Sequence, residues 1–188
     1  MGEQTIDRTT RFLGANTSDT SQHLLTVVAC YCWVAATVTA ECPPRGLRIW
    51  RTATLLTLAA LITTYLLSDG LHTPAEEFAL QDPASRAHHW LVPLYMLATF
   101  AMLLRATLAQ RHNHGIDYKV SLAAMVLVAV IGLTVSVATA FLLAARPLWL
   151  ADHYHDLARI GIVPALLALG AAGIPGVIQE WQTRDDPR

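Results

Sequence analysis

Histidine and carboxylate side chains gather at the ends of the apolar segments of this chain, where they could bind a transition metal. Imidazole and carboxylate groups are suitable ligands for zinc, copper or iron. The candidate ligands are His72, His88, His89, His153 and His155. His23 lies near the same predicted face, and acidic residues such as Asp82 and Asp152 stand beside these histidines.

The spacing of these histidines leaves a second interpretation open. His153 and His155 are two residues apart, which suits joint ligation in an extended loop but not on one helix face. His88 and His89 point about 100° apart on a helix. The sequence has no His-x-x-x-His or Cys-x-x-Cys pair. The alternative is that these residues are interfacial polar groups, caps and first-turn side chains.

The elements that would carry these residues are five charge-free apolar runs. A helix needs about 20 apolar residues to cross the hydrocarbon core of a bilayer. We therefore predict an all-α integral membrane bundle of five transmembrane helices over residues 23–179, between polar tails at 1–22 and 180–188. The predicted spans cover about 23–41, 49–68, 88–110, 120–145 and 157–179.

The stretch between the second and third runs contains two helix-start signals. Thr73-Pro74-Ala75-Glu76 is a capping box with proline at the first helical position, so we predict a short outer-surface helix near 74–81. Asp82-Pro83 repeats the signal, with Asp82 as the N-cap, and predicts the start of the third long helix.

Basic residues predict the orientation, because Lys and Arg are retained in the cytoplasm. Placing the N-terminus outside and the C-terminus in the cytoplasm leaves most of the basic residues on the cytoplasmic side. These are Arg45, Arg48, Arg51, Arg105, Arg111, Lys119, Arg184 and Arg188. The expected location is the plasma membrane, in contact with lipid, and Trp50 is expected at the inner interface with a partner for its indole N–H.

Small residues predict which helices pack closely, because helices in lipid associate where their backbones can approach. The fourth run offers Gly132, Ser136 and Ala140, and the fifth has a stripe on one face. That stripe comprises Gly161, Ala165, Ala168, Ala172 and Gly176. We predict that the fourth and fifth spans touch, although Ala and Gly are also simply abundant here.

Hydroxyl groups and prolines inside the runs have two interpretations each. The second run has hydroxyls near one face, at Thr54, Thr57, Thr64 and Ser68. They could line a cavity, but such groups more often bond carbonyls of their own helix or a neighbouring helix. Pro93, within the third run, could produce a kink. Cys30 and Cys32 point about 200° apart on a helix and are not expected to share a site.

The last run carries a resemblance to a known group of proteins. The segment Arg159-Ile160-Gly161-Ile162-Val163-Pro164, continuing through Gly170 to Ile174-Pro175-Gly176, resembles the last membrane helix of a family of actinobacterial multi-pass proteins. Those proteins are uncharacterised and often labelled as transporters. The resemblance implies a transporter-like membrane protein and no catalytic residues; the family differs in having about seven spans and a cytoplasmic C-terminal domain.

Composition excludes some function classes and leaves three open. The chain is 54% hydrophobic and 14% charged with a net charge of −1, which does not suggest nucleic-acid binding. No phosphate-binding loop, dinucleotide fingerprint or nucleophile elbow is present. We expect a non-enzymatic transporter-like protein, or an accessory subunit that contacts other membrane subunits or itself. The alternatives are a redox or metal-binding protein using the outer histidines, and an enzyme using them for acid–base chemistry at the outer surface.

Overall fold

A computed structural model describes residues 17–38, 44–68, 83–109, 116–147, 149–150, 153, 156–157 and 160. Within those residues the elements are all α-helical, as the sequence predicts. The four helices are α1 (Thr17–Val38), α2 (Pro44–Leu67), α3 (Pro83–Ala109) and α4 (Ile116–Ala145). The short helix predicted near 74–81 falls outside the described residues.

Helix starts follow the proline signals in the sequence. α2 and α3 begin at Pro44 and Pro83, where the missing proline N–H costs no hydrogen bond. The start of α3 confirms the prediction from Asp82-Pro83. Pro93 lies inside α3, and the helix continues through it to Ala109. All four helices begin before the corresponding predicted spans, because polar residues next to each apolar run are helical too.

Among the described helices, three are long and apolar enough to cross a membrane, and they correspond to the second, third and fourth of the five predicted spans. They cover Gly46–Leu67, Pro83–Ala109 and Leu122–Ala145. The first predicted span lies on α1, but this helix opens with the polar sequence Thr17-Ser18-Asp19-Thr20 and is not among the three. The fifth predicted span, 157–179, lies outside the described residues apart from 157 and Ile160.

The helices pack through narrow stripes of buried side chains. On α1 the buried positions advance by steps of three and four residues, the spacing that places knobs into holes on a neighbouring helix. They are Thr20, His23, Val27, Cys30 and Val34. α3 follows a similar pattern with Ser85, His88, Val92, Tyr95 and Thr99. In both stripes the first two residues are polar, so the start of each helix contributes polar groups to the interior.

α1, α2 and α3 pack pairwise on one another, and α4 packs most extensively on α3. At the α3–α4 contact the ring of Phe100 lies directly over Gly132, and a Cβ built on this glycine would stand 2.5 Å from the ring carbons. Ser136 is buried and bonds back to the Gly132 carbonyl at 2.7 Å. The predicted partners of this face, from Gly161 to Gly176, lie outside the described residues.

The contact of Phe100 with Gly132 predicts the effect of adding one methyl group. Alanine normally stabilises a helix by about 1 kcal/mol relative to glycine. At Gly132 the added Cβ would collide with the Phe100 ring, and overpacking costs about 1–3 kcal/mol. We therefore expect Gly132→Ala to lower the unfolding temperature in detergent.

Two further variants test the cause of that change. Phe100→Leu in the Gly132→Ala background should restore part of the loss, since it removes the ring that the methyl group meets. Ala144→Val adds a larger volume to an exposed position of α4 and should have little effect. A gain in stability from Gly132→Ala would show that the helices separate easily at this contact.

Candidate functional site

Three imidazole rings meet between α1 and α3 and form what we call the histidine cluster: His23, His88 and His89. The ring centroids of His23 and His88 are 5.1 Å apart, and His89 lies 5.8 Å from His23 and 5.7 Å from His88. His88 is fully buried and His23 is 7% exposed.

The helix order explains why these residues meet. His23 lies near the start of α1, His88 and His89 lie near the start of α3, and Leu61 and Thr64 lie near the end of α2. Contacts among them require α2 to run opposite to α1 and α3. The cluster therefore sits at one end of the three-helix packing, about two turns from the helix ends.

Hydrogen bonds fix the orientation of His88. Its Nδ1 atom lies 3.2 Å from the Leu61 carbonyl oxygen and 3.2 Å from Thr64 Oγ1. The Thr64 hydroxyl itself donates to the Ala60 carbonyl at 2.8 Å. In the tautomer that carries its proton on Nδ1, His88 donates to Leu61, because a carbonyl oxygen can only accept.

The same reasoning assigns the proton between His88 and His23. Nε2 of His88 lies 3.0 Å from Nδ1 of His23. In a neutral His88 with its proton on Nδ1, Nε2 is an acceptor, so Nδ1 of His23 is the donor. The interaction is thus a directed chain from α1 through α3 to the backbone of α2, in which each donor meets an acceptor.

Further polar side chains surround the hydrogen bonds of His23 and His88. Thr20 lies one helical turn before His23, is 5% exposed, and its Oγ1 has no hydrogen-bond partner among the described residues. Ser68 and Ser85 are also buried, and the Tyr65 ring lies 6.4 Å from His88. This end of the packed helices is therefore a polar layer inside an otherwise apolar interior.

The structure brings together two of the five predicted metal ligands. His88 and His89 lie in the cluster, whereas the imidazole of His153 stacks on Trp149 at 4.3 Å and its Nδ1 lies 3.0 Å from the Trp149 carbonyl oxygen. His72 and His155 lie outside the described residues. The described residues contain no group of three His, Cys, Asp or Glu arranged to hold a metal ion.

His23 is the member of the cluster that sequence reasoning left out of the ligand set. Its signal was its position rather than its residue type: it continues the three-and-four spacing of Val27, Cys30 and Val34 toward the start of α1. A histidine on that stripe points at the neighbouring helices. Its partner lies 65 residues away in sequence, and no local pattern identifies such a pair.

A second polar contact joins α2 and α3 nearer the middle of the helices. The Thr54 hydroxyl donates to the Trp50 carbonyl at 2.8 Å and accepts from the Tyr95 hydroxyl at 2.7 Å. The rings of Trp50 and Tyr95 stack at 5.2 Å. Trp50 is buried, and its Nε1 has no hydrogen-bond partner among the described residues.

The hydroxyls of the second predicted run bond back to the carbonyls of their own segment. Thr54, Thr57, Thr64 and Ser68 each bond a carbonyl three or four residues earlier, which confirms the alternative interpretation. The two α1 cysteines also separate as predicted, because Cys30 is buried and Cys32 is exposed.

Comparison of the chain with protein-family models, with characterised proteins and with solved structures finds no match. Any function must therefore be inferred from the geometry of the helices and of the histidine cluster.

The hydrogen-bonded chain predicts a large difference between two histidine substitutions. His88→Ala removes the acceptor of His23 and the donor to Leu61, and leaving buried polar groups unpaired costs about 1–3 kcal/mol. His153→Ala is the matched control, since its stacking is with Trp149, four residues earlier. Thermal unfolding in detergent should show a clear loss for His88→Ala and a small change for His153→Ala. Equal effects would contradict the assigned network.

Proposed function

We propose that this chain is a small, non-enzymatic multi-pass protein of the plasma membrane that acts as an accessory subunit of a larger membrane assembly. The observation that supports the membrane location is the distribution of apolar side chains over the helices. Large apolar residues face outward along α1 to α4, with Leu25 68%, Leu67 74% and Phe141 68% exposed. So extensive an apolar surface is unfavourable for a monomer in water, whereas lipid solvates it well.

The interior supports the same conclusion. Buried positions include Thr99, Thr107, Ser136 and two histidines, while many large apolar side chains, such as Leu55, Leu66 and Val137, are exposed. A soluble protein gains stability by burying its apolar groups, but helices surrounded by lipid gain little from doing so. Interhelical hydrogen bonds and close approach of small residues then become the main sources of packing.

We place α1 in the membrane beside the three established candidates. It has 22 residues, which corresponds to about 33 Å of helix, and Asp19 is its only charged residue. Its buried stripe packs against both α2 and α3. The fifth span at 157–179 would complete the bundle and remains a prediction.

An accessory role fits the described interior better than transport. Substrate sites in transporters are commonly formed by broken helices with unwound backbone. Here all four described helices are continuous, and the α2 hydroxyls satisfy carbonyls of their own helix. The transporter-like alternative rests on the resemblance of residues 159–176 to the actinobacterial proteins, which stays a prediction.

Membrane extraction followed by purification tests the proposal. The protein should stay with membranes through an alkaline wash and require detergent for release, because its helix surfaces are apolar. In mild detergent it should elute with a partner in fixed stoichiometry, at a mass above that of detergent plus monomer. Release by the alkaline wash would contradict the membrane assignment. A monodisperse monomer would contradict the accessory role alone.

Reporter fusions test the proposed orientation, with the N-terminus outside and the C-terminus in the cytoplasm. A reporter that fluoresces only in the cytoplasm should be active after residue 115 and after residue 188, and inactive after residue 150. A periplasmic or extracellular phosphatase reporter should give the reverse pattern. Activity of the fluorescent reporter at 150 and not at 115 would invert the topology.

A further inference from the structure

We propose that the facing nitrogens of His23 and His88 form a binding site for one Cu(I) ion, held between Nδ1 of His23 and Nε2 of His88. These two atoms lie 3.0 Å apart and point at each other across the α1–α3 contact. Cu(I) accepts two nitrogen donors in line, and imidazole is a good copper ligand. The ion would take the place of the proton that now lies between the two rings.

The surroundings of His88 resemble the outer shell of a metal site. A metal-binding histidine usually donates its second ring N–H to a backbone carbonyl, which fixes the lone pair of the other nitrogen toward the metal. Nδ1 of His88 makes such a contact with Leu61, supported by Thr64 Oγ1. Nε2 is thereby presented as a lone-pair donor before any ion arrives.

Binding would change the distance between the two nitrogens only slightly and would leave the number of bound protons unchanged. Metal–nitrogen bonds are about 2 Å long, so two donors in line lie roughly 4 Å apart, about 1 Å more than the present separation. The proton on Nδ1 of His23 moves to Nε2 of the same ring. Nδ1 then has a free lone pair for the metal, and no proton is released. No redox step is involved.

The rest of the polar layer favours Cu(I) over zinc. A structural zinc site needs four ligands in a tetrahedron, and no three metal-ligating side chains of the described residues are arranged for that. The ring centroid of His89 lies 5.8 Å from that of His23, close enough for His89 to shield the ion from one side. Thr20 Oγ1, buried and without a partner among the described residues, lies one turn away and adds a neutral polar surface.

Competition with a chromogenic Cu(I) chelator under anaerobic conditions tests the site, using the full chain in detergent. The wild-type protein should withdraw one equivalent of Cu(I) from the chelator. His23→Gln and His88→Gln should each lose that equivalent, and the matched control His153→Gln should retain it. X-ray absorption of the wild-type complex should show two nitrogen neighbours at about 2 Å.

Four results would overturn the copper site or its geometry. Failure of the wild type to compete, or equal binding by His88→Gln and wild type, overturns the site. Binding of Zn(II) at one equivalent with the same histidine dependence overturns the two-coordinate assignment. If the glutamine variants do not fold, nitrogen NMR of wild-type protein with Ag(I) decides: the ring nitrogens of His23 and His88 must shift, and unchanged signals overturn the proposal. Loss of copper binding leaves the membrane extraction result unaffected.

Discussion

The constraint on which this structure depends is that polar groups buried between helices in lipid must find their partners on those helices. Lipid supplies no donors or acceptors, so an imidazole or hydroxyl facing the interior depends on its neighbours. His88 meets the constraint with contacts to α1 and α2 at once. The cluster therefore ties three helices together at one end, while apolar residues such as Val27 and Leu61 fill the space below it.

The same constraint explains the two ways in which hydroxyls behave here. Thr57 and Thr64 donate to carbonyls of α2, so their hydroxyls have a hydrogen-bond partner whichever side of the helix they lie on. Thr54 does this too and additionally accepts from Tyr95, so one residue both completes its own helix and joins it to α3. Trp50 Nε1 and Thr20 Oγ1 lack such partners among the described residues, and these two atoms mark where the packing leaves polar capacity unused.

The amount that sequence alone could predict differs between local and long-range features. Apolar runs and the Asp82-Pro83 signal are local, and they correctly predicted helices and the start of α3. Three of the five predicted spans lie on helices that are long and apolar enough to cross a membrane, whereas α1 begins with a polar turn and the fifth run lies outside the described residues. The His23–His88 pairing depends on the register between α1 and α3, which is decided by side-chain packing along both helices, and spacing rules based on neighbouring residues cannot identify it.

The contact that holds the first helix in the cluster is also the position at which a ligand would bind. The hydrogen bond between His23 and His88 holds α1 against α3, and any group that enters between the two nitrogens must replace it. His88 is held by its hydrogen bond to Leu61 on α2. If the two rings separate, we therefore expect His23 and the start of α1 to move rather than His88. A bound ligand would thus displace α1 relative to α2 and α3. The α2–α3 pair is stabilised separately by the Thr54–Tyr95 hydrogen bond and the stacking of Trp50 on Tyr95. Binding at the cluster would consequently be coupled to the packing of the first helix through the contact of His23 with His88.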